Sequence, residues 1–269
     1  MHIALGSVSL VYVTCKINNL TVTSGYYFFI FFSTIFIYCL HRIIGIEKVG
    51  KYKDKGRFRI INQYKTHIRI YASIGLIAAL YFYINLPVTI QLLLLIPSFI
   101  SLLYTVPILP KKRRLRDFHY IKIILIAVVW GILTVLIPEY FLNNIRDFTY
   151  LLFIERCLFI FAITIPFDIR DMEIDQKTQV KTFIHSWGST KAKVIAVALL
   201  AFSLMIYFYL FDYSYLSAHY LTALIICYTV TSLFILYAHH RRTDYYFSGI
   251  LDGTMLLMAL CIKASDFIY

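Results

Sequence analysis

Nine apolar stretches divide the chain, and most approach the ~20 residues that a helix needs to cross a bilayer. They occupy residues 2–15, 24–44, 68–86, 88–109, 119–138, 147–167, 192–212, 219–238 and 245–265. Polar and charged residues collect in the connections between these stretches. The alternation predicts an all-α, polytopic membrane protein of about nine transmembrane helices.

Composition supports the same class. The chain is 60% hydrophobic and only 15% charged, whereas soluble domains are about 45–50% apolar and about 25% charged. Its 269 residues predict one membrane domain, residues 1–269, without a soluble module large enough to fold alone. The first stretch is short, and we expect a truncated first helix rather than a secretory signal. No basic residue precedes it and no A-x-A site follows it.

Basic residues are concentrated in alternate connections. Of the 26 Lys and Arg residues, 22 fall in the segments 42–69, 111–122, 170–193 and 241–242. The positive-inside tendency makes these connections cytoplasmic, which predicts an integral protein of the cytoplasmic (inner) membrane with its N-terminus in the cytoplasm. The net charge of +12 is therefore mainly a topology signal that also attracts anionic membrane lipid. No basic soluble module exists for nucleic-acid binding.

Three carboxylates stand together where one apolar stretch ends. Asp168, Asp171 and Asp175 are spaced i, i+3 and i+7, which places them within about 60° of arc on a helix. Their mutual repulsion is relieved by a cation, and carboxylate oxygens suit Mg²⁺, which commonly bridges carboxylates to substrate phosphates. The alternative is a solvated helix end with acidic residues among lysines.

Basic residues accompany these acids on the predicted cytoplasmic face. They form the run Lys111-Lys112-Arg113-Arg114-Leu115-Arg116 and include Lys181 further along the chain. Carboxylates that hold Mg²⁺ beside cations describe a site for a diphosphate, because both stabilise the negative charge that develops on a departing pyrophosphate. An apolar cavity would shelter the hydrocarbon that remains.

These motifs resemble those of the UbiA superfamily of intramembrane prenyltransferases. That family's second aspartate motif, D-x-x-D-x-x-x-D followed by a basic residue, Thr and Gly, is matched here by Asp168 to Asp175, Lys181-Thr182 and Gly188. The segment Leu103-Tyr104-Thr105-Val106-Pro107, followed by residues 111–116, looks like the family's Tyr-Ser/Thr…Pro…Leu-Lys stretch.

The resemblance implies helices around a central cavity open to the cytoplasm. It also implies an Mg²⁺-dependent transferase that moves a prenyl group from a prenyl diphosphate to a lipophilic acceptor. Asp168, Asp171 and Asp175 would hold the metal and act in catalysis. Tyr104 would steady the leaving group or the acceptor. Four basic residues would contact diphosphate oxygens, namely Lys111, Arg114, Arg116 and Lys181.

The chain departs from the family at its first motif, N-D-x-x-D-x-x-x-D, which aligns with residues 39–47. Leu40 and Ile43 replace two acids, and only Glu47 keeps a carboxylate that could bind metal. His41 and Arg42 would either contact the diphosphate directly or anchor the helix end at the membrane surface. An alternative function is therefore a catalytically degenerate member that binds isoprenoid lipid without turnover.

Other ionisable residues have structural interpretations. Glu155-Arg156 lies inside an apolar stretch, and we interpret it as a structural pair that bonds neighbouring helices. Asp252 would face the cavity mouth or pair with a basic residue. A small transporter is disfavoured, because the acids cluster at one face rather than near the bilayer midplane.

Overall fold

A computed structural model describes residues 2–49, 56–108, 110, 114–118, 121–141, 145–177 and 183–268. Side chains are described within these ranges except at 47–49, 56–57, 173–177, 183–185 and 268. The described chain is helical and contains no strand. Its helices are α1 His2–Ile17, α2 Ser24–Val49, α3 Gly56–Gln63, α4 Lys65–Ile84, α5 Val88–Thr105, α6 Ile121–Gly131, α7 Ile137–Tyr140, α8 Thr149–Lys177, α9 Phe183–Asp212, α10 Ala218–Leu236 and α11 Asp252–Ile268.

The apolar helices confirm the predicted all-α membrane class, with eight candidate spans in the described chain where about nine were predicted. Within the described ranges, eight helical segments are long and apolar enough to cross a membrane, and the apolar α1 is shorter. A π-helical turn, Ile132–Leu136, joins α6 to α7, so that Ile121–Tyr140 forms one span. A second π-helical turn, Tyr246–Leu251, leads into α11.

The helices pack in a closed ring. Going round it, α1 contacts α2, α2 contacts α5, and α5 contacts α6, which packs on α8. The ring continues through α9, α10 and α11 and returns to α1, while α4 packs outside α2. One apolar core contains residues of α8, α9, α10 and α11, with parts of α1 and α6. A second core contains residues of α1, α2, α4, α5 and α7.

The faces of α4 show why it lies at the edge of the ring. Its small or buried residues recur at helical spacing and face inward, namely Ile68, Ala72, Gly75 and Ala79. A Cβ at Gly75 would lie 3.1 Å from both the Phe32 carbonyl oxygen and the Phe36 nitrogen, so glycine allows close approach to α2. The opposite face exposes large apolar side chains, as expected for contact with lipid: Ile70, Ile74, Ile77 and Tyr81.

A buried polar network ties α8 to its neighbours. The Glu155 carboxylate accepts hydrogen bonds from the hydroxyls of Tyr207 (2.7 Å) and Tyr228, and from Ser203 Oγ (3.2 Å). Arg156 Nη1 donates to the Leu10 carbonyl of α1 at 3.3 Å. The pair therefore bonds neighbouring helices, as its place within an apolar stretch predicted.

Candidate active site

A cavity of about 1320 Å³ opens between the two apolar cores. Its walls come from α1, α2, α3, α5, α6, α8 and the segment that leads into α11. Charged and aromatic side chains collect at one end of the cavity, where α2 and α8 approach their C-termini. The other part is lined mainly by apolar side chains, including Phe29, Ile30, Val129, Trp130 and Leu133. One cavity therefore combines a charged end with an adjoining apolar pocket.

The acids of α8 have different surroundings. Asp168 is fully buried, and its Oδ1 lies 2.6 Å from Lys122 Nζ at the start of α6. Asp171 lines the cavity, and its Oδ1 accepts a hydrogen bond from Arg170 Nε at 2.8 Å. One helical turn thus separates an acid held within the helix packing from an acid at the cavity wall.

Several predicted site residues fall outside the described part of the structure. Lys111 and Lys181 lie outside the described residues, and so do the side chains of Asp175 and Glu47. Among the side chains that are described, no three His, Cys, Asp or Glu groups converge as a metal cluster. The role of these four residues therefore stays a prediction.

The basic wall of the cavity is built by a tight turn. Leu115–Asp117 form one 3₁₀ turn, and Asp117 accepts hydrogen bonds from the Arg114 backbone nitrogen (3.0 Å) and from Arg114 Nη2 (2.8 Å). These bonds fix the guanidinium at the cavity, where Arg114 is buried. Its Nη1 is buried and has no hydrogen-bond partner in the described part of the chain.

Two aromatic rings contact the other basic residues at this end of the cavity. The His41 ring stacks on Tyr104 with 6.2 Å between centroids, and Arg116 Cζ lies 5.7 Å from the centroid of the same Tyr104 ring. Arg42 Cζ lies 4.7 Å from the Tyr38 centroid. All five side chains line the cavity. The structure thus brings together the predicted residues His41, Arg42, Tyr104, Arg114 and Arg116, which come from α2, α5 and the 114–118 segment.

Further charged residues line the same end but were absent from the predicted set. Asp244 lies 3.7 Å from Arg170 Nη1, and Lys122 and Asp117 also face the cavity. The sequence places Lys122 only among the basic residues that set the orientation. Asp252 is buried and lines the cavity, which agrees with one of its two predicted positions. A signal for Lys122 did exist, because an ionisable residue at the beginning of an apolar stretch needs a partner.

Comparisons with known proteins agree with this architecture. The model of the UbiA prenyltransferase family matches residues 61–251, which is more than half of the chain. A search of curated proteins gives no match.

Solved structures of UbiA homologues share the fold over nearly the whole chain. An apo homologue from Aeropyrum pernix K1 has a TM-score of 0.68 at 12% identity, covering 98% of this chain and 97% of that one. A homologue from Archaeoglobus fulgidus bound to GPP and Mg²⁺ has a TM-score of 0.62 at 12% identity, covering 97% and 96%. A structure of digeranylgeranylglyceryl phosphate synthase has a TM-score of 0.61 at 16% identity, covering 98% and 94%. At these identities the likeness concerns the fold.

Proposed function

The chain belongs to the UbiA prenyltransferase family, and we propose that it transfers a prenyl group from a prenyl diphosphate to a lipophilic acceptor within the membrane. The observation that carries the proposal is the form of the cavity. A charged end suits a diphosphate, and the adjoining apolar pocket suits the hydrocarbon chain of the same donor. The homologue bound to GPP and Mg²⁺ supports the same donor class.

The donor set fits an Mg²⁺ ion held mainly by α8. Mg²⁺ usually takes one or two protein carboxylates, with water and substrate phosphates completing its shell. Asp171 faces the cavity, and Asp175 follows one helical turn later, so these two are the proposed ligands, with Glu47 as a further candidate. Asp168 was predicted as a third ligand, but its ion pair with Lys122 favours a role in positioning α8. Bound Mg²⁺ would stabilise negative charge on the departing diphosphate.

The basic side chains have a complementary role. When the bond between the prenyl carbon and the diphosphate oxygen breaks, its electron pair stays on the diphosphate. Arg114 and Arg116, with Lys111 and Lys181, would stabilise that charge through charge-assisted hydrogen bonds. Tyr104, which supports both His41 and Arg116, would hold these groups in register.

The apolar pocket would protect the other product of bond cleavage. Trp130 and Phe29 line it, and aromatic faces stabilise a nearby allylic cation by cation–π attraction. Exclusion of water would prevent hydrolysis of this cation before the acceptor attacks. The acceptor forms a new bond to the prenyl carbon and loses a proton. A cytoplasmic position of the charged end is part of the proposal, supported by the basic connections.

Replacement of both Asp171 and Asp175 by Asn tests the function. We expect the double variant to lose Mg²⁺-dependent prenyl transfer from geranyl diphosphate to a lipid extract in membranes. A matched control is Glu173→Gln, which lies about 140° round the helix from Asp168 and should retain turnover. Unchanged turnover in the double variant would refute the assignment.

A second candidate is a family member that binds isoprenoid lipid without chemistry. Two observations favour it: Leu40 and Ile43 replace acids of the first motif, and the Asp168 carboxylate is already paired with Lys122. Purified protein incubated with radiolabelled prenyl diphosphate and a lipid extract separates the two. Mg²⁺-dependent product excludes the degenerate form, whereas tight binding without product supports it.

A further inference from the structure

Positive charge on α2 faces the cavity where the family motif would place acids. Arg42 lines the cavity and rests on the Tyr38 ring, and Arg116 also lines it, resting on Tyr104. Within the described residues neither guanidinium forms an ion pair. Two cations in a partly buried chamber are costly unless an anion joins them.

The same region contains three buried polar atoms that have no hydrogen-bond partner among the described residues. They are His41 Nε2, Thr105 Oγ1 and Arg114 Nη1, and their residues all line the cavity. Thr105 is fully buried, and Arg114 is 7% exposed. Buried polar groups are ordinarily satisfied, so several orphans around one chamber indicate a missing polar ligand.

Three of the described carboxylates nearby are already engaged. Asp117 binds Arg114, Asp171 binds Arg170, and Asp168 binds Lys122. Asp252 also lines the cavity and lies close enough to Arg42 to interact with its charge. This single acid cannot balance both Arg42 and Arg116, so positive charge is left for an anionic ligand. Arginine presents paired N–H groups that match two phosphate oxygens, and a diphosphate offers enough oxygens for several such contacts.

We propose that His41, Arg42, Arg114, Arg116 and Thr105 form a direct, metal-independent cradle for the diphosphate group. This inference rests on the proposed function, since the diphosphate is that of the prenyl donor. On α2, the positive charge of Arg42, with His41 beside it, replaces the metal site that an acidic first motif would supply. Metal binding then rests mainly on the α8 side of the cavity, around Asp171.

The cradle predicts that a diphosphate binds even when divalent metal is removed. The experiment measures binding of inorganic pyrophosphate and of geranyl diphosphate to the purified full chain in detergent, in EDTA and in Mg²⁺. We expect measurable binding in EDTA. Arg42→Gln and Arg116→Gln should each weaken it at least about tenfold in both conditions, the loss of one charge-assisted phosphate contact.

Three further variants test whether the loss of binding is specific to the cradle. Arg69→Gln removes a positive charge from an exposed position on α4, outside the cavity, and should leave binding unchanged. Arg42→Lys should recover only part of the loss, because lysine cannot form the bidentate contact. Asp171→Asn should weaken binding in Mg²⁺ but not in EDTA. Elution volume and thermal midpoint verify that each variant is folded.

The outcomes separate this inference from the proposed function. Absence of binding in EDTA, or equal binding by the Arg42, Arg116 and Arg69 variants, overturns the cradle even if Mg²⁺-dependent transfer occurs. Metal-independent binding that is lost in the Arg42 and Arg116 variants supports the cradle, even if no prenyl product forms and the proposed function fails. Binding of pyrophosphate as tight as that of geranyl diphosphate would assign recognition to the diphosphate rather than to the hydrocarbon.

Discussion

Lys122 Nζ lies 2.6 Å from Asp168 Oδ1, and this ion pair links α6 to α8 beside the charged end of the cavity. Both side chains are buried, at 7% and 1% exposure for the whole residues. A buried pair gives little net stability compared with apolar replacements, but removing one partner leaves an uncompensated charge. The pair therefore fixes the relative position of two helices that both face the cavity.

The first prediction concerns this pair. Lys122→Met should destabilise the protein by about 3–5 kcal/mol, because Asp168 would stay buried without its partner. The combined variant Lys122→Met/Asp168→Leu should be more stable than Lys122→Met alone, since no charge remains buried. Thermal unfolding in detergent measures both changes.

The same variants distinguish the two roles of Asp168. If Asp168 only positions α8, Asp168→Asn should lower the thermal midpoint while Mg²⁺ still tightens diphosphate binding. Loss of the Mg²⁺ effect with an unchanged midpoint would instead make Asp168 a metal ligand.

The second prediction concerns the Glu155 network. Glu155→Ala should destabilise the protein by about 3–5 kcal/mol, because it leaves Arg156 buried without a counter-charge. Tyr207→Phe removes a single hydrogen bond to Glu155 and should cost only about 1 kcal/mol, as expected between helices in a membrane. Thermal midpoints rank the two variants. Midpoints equal to that of the wild type for both variants would show that the network contributes nothing to helix packing.

The third prediction concerns the contact of α6 with α8. A Cβ at Gly131 would lie 2.8 Å from Cys157 Sγ and 2.8 Å from Phe153 Cε2, so in Gly131→Ala either these side chains or the helices must shift. We expect a loss of about 1–3 kcal/mol in stability. Gly249→Ala is the matched control, because a Cβ there meets nothing within 4 Å. Similar midpoints for both variants would contradict the close packing.

Much of the fold could be predicted because hydropathy reports directly on contact with lipid. The stretch predicted at 88–109 became α5, Val88–Thr105, and most other stretches agree as well. Hydropathy does not locate helix ends outside the membrane. The stretch predicted at 147–167 became α8, which continues beyond the apolar residues through a polar extension to Lys177. Gly188, at φ 76°, breaks α9 in the left-handed region that favours glycine.

The site was harder to predict because side-chain pairing depends on helix rotation. The spacing of Asp168, Asp171 and Asp175 indicated one face of α8, but it did not show that Lys122 of α6 would approach Asp168. Similarly, the run of basic residues at 111–116 did not show that Asp117 would hold Arg114. Only the packing of separate helices creates these contacts.

The fourth prediction concerns the length of the prenyl chain. Ser33 lines the cavity on α2, nine residues before Arg42, and nine helical residues span about 13 Å. A bulky side chain at Ser33 would therefore block the apolar pocket well below the proposed diphosphate cradle. Ser33→Trp should reduce transfer from long prenyl diphosphates much more than from dimethylallyl diphosphate.

The measurement compares relative rates with donors of increasing chain length under identical conditions. Phe28→Trp is the matched control, because Phe28 is half exposed on the outer side of the same helix and does not line the cavity. Its length preference should equal that of the wild type, since indole there would contact lipid rather than donor. If Ser33→Trp lowered all rates equally, the hydrocarbon would not extend along α2, and the donor would have to enter the apolar pocket along another wall.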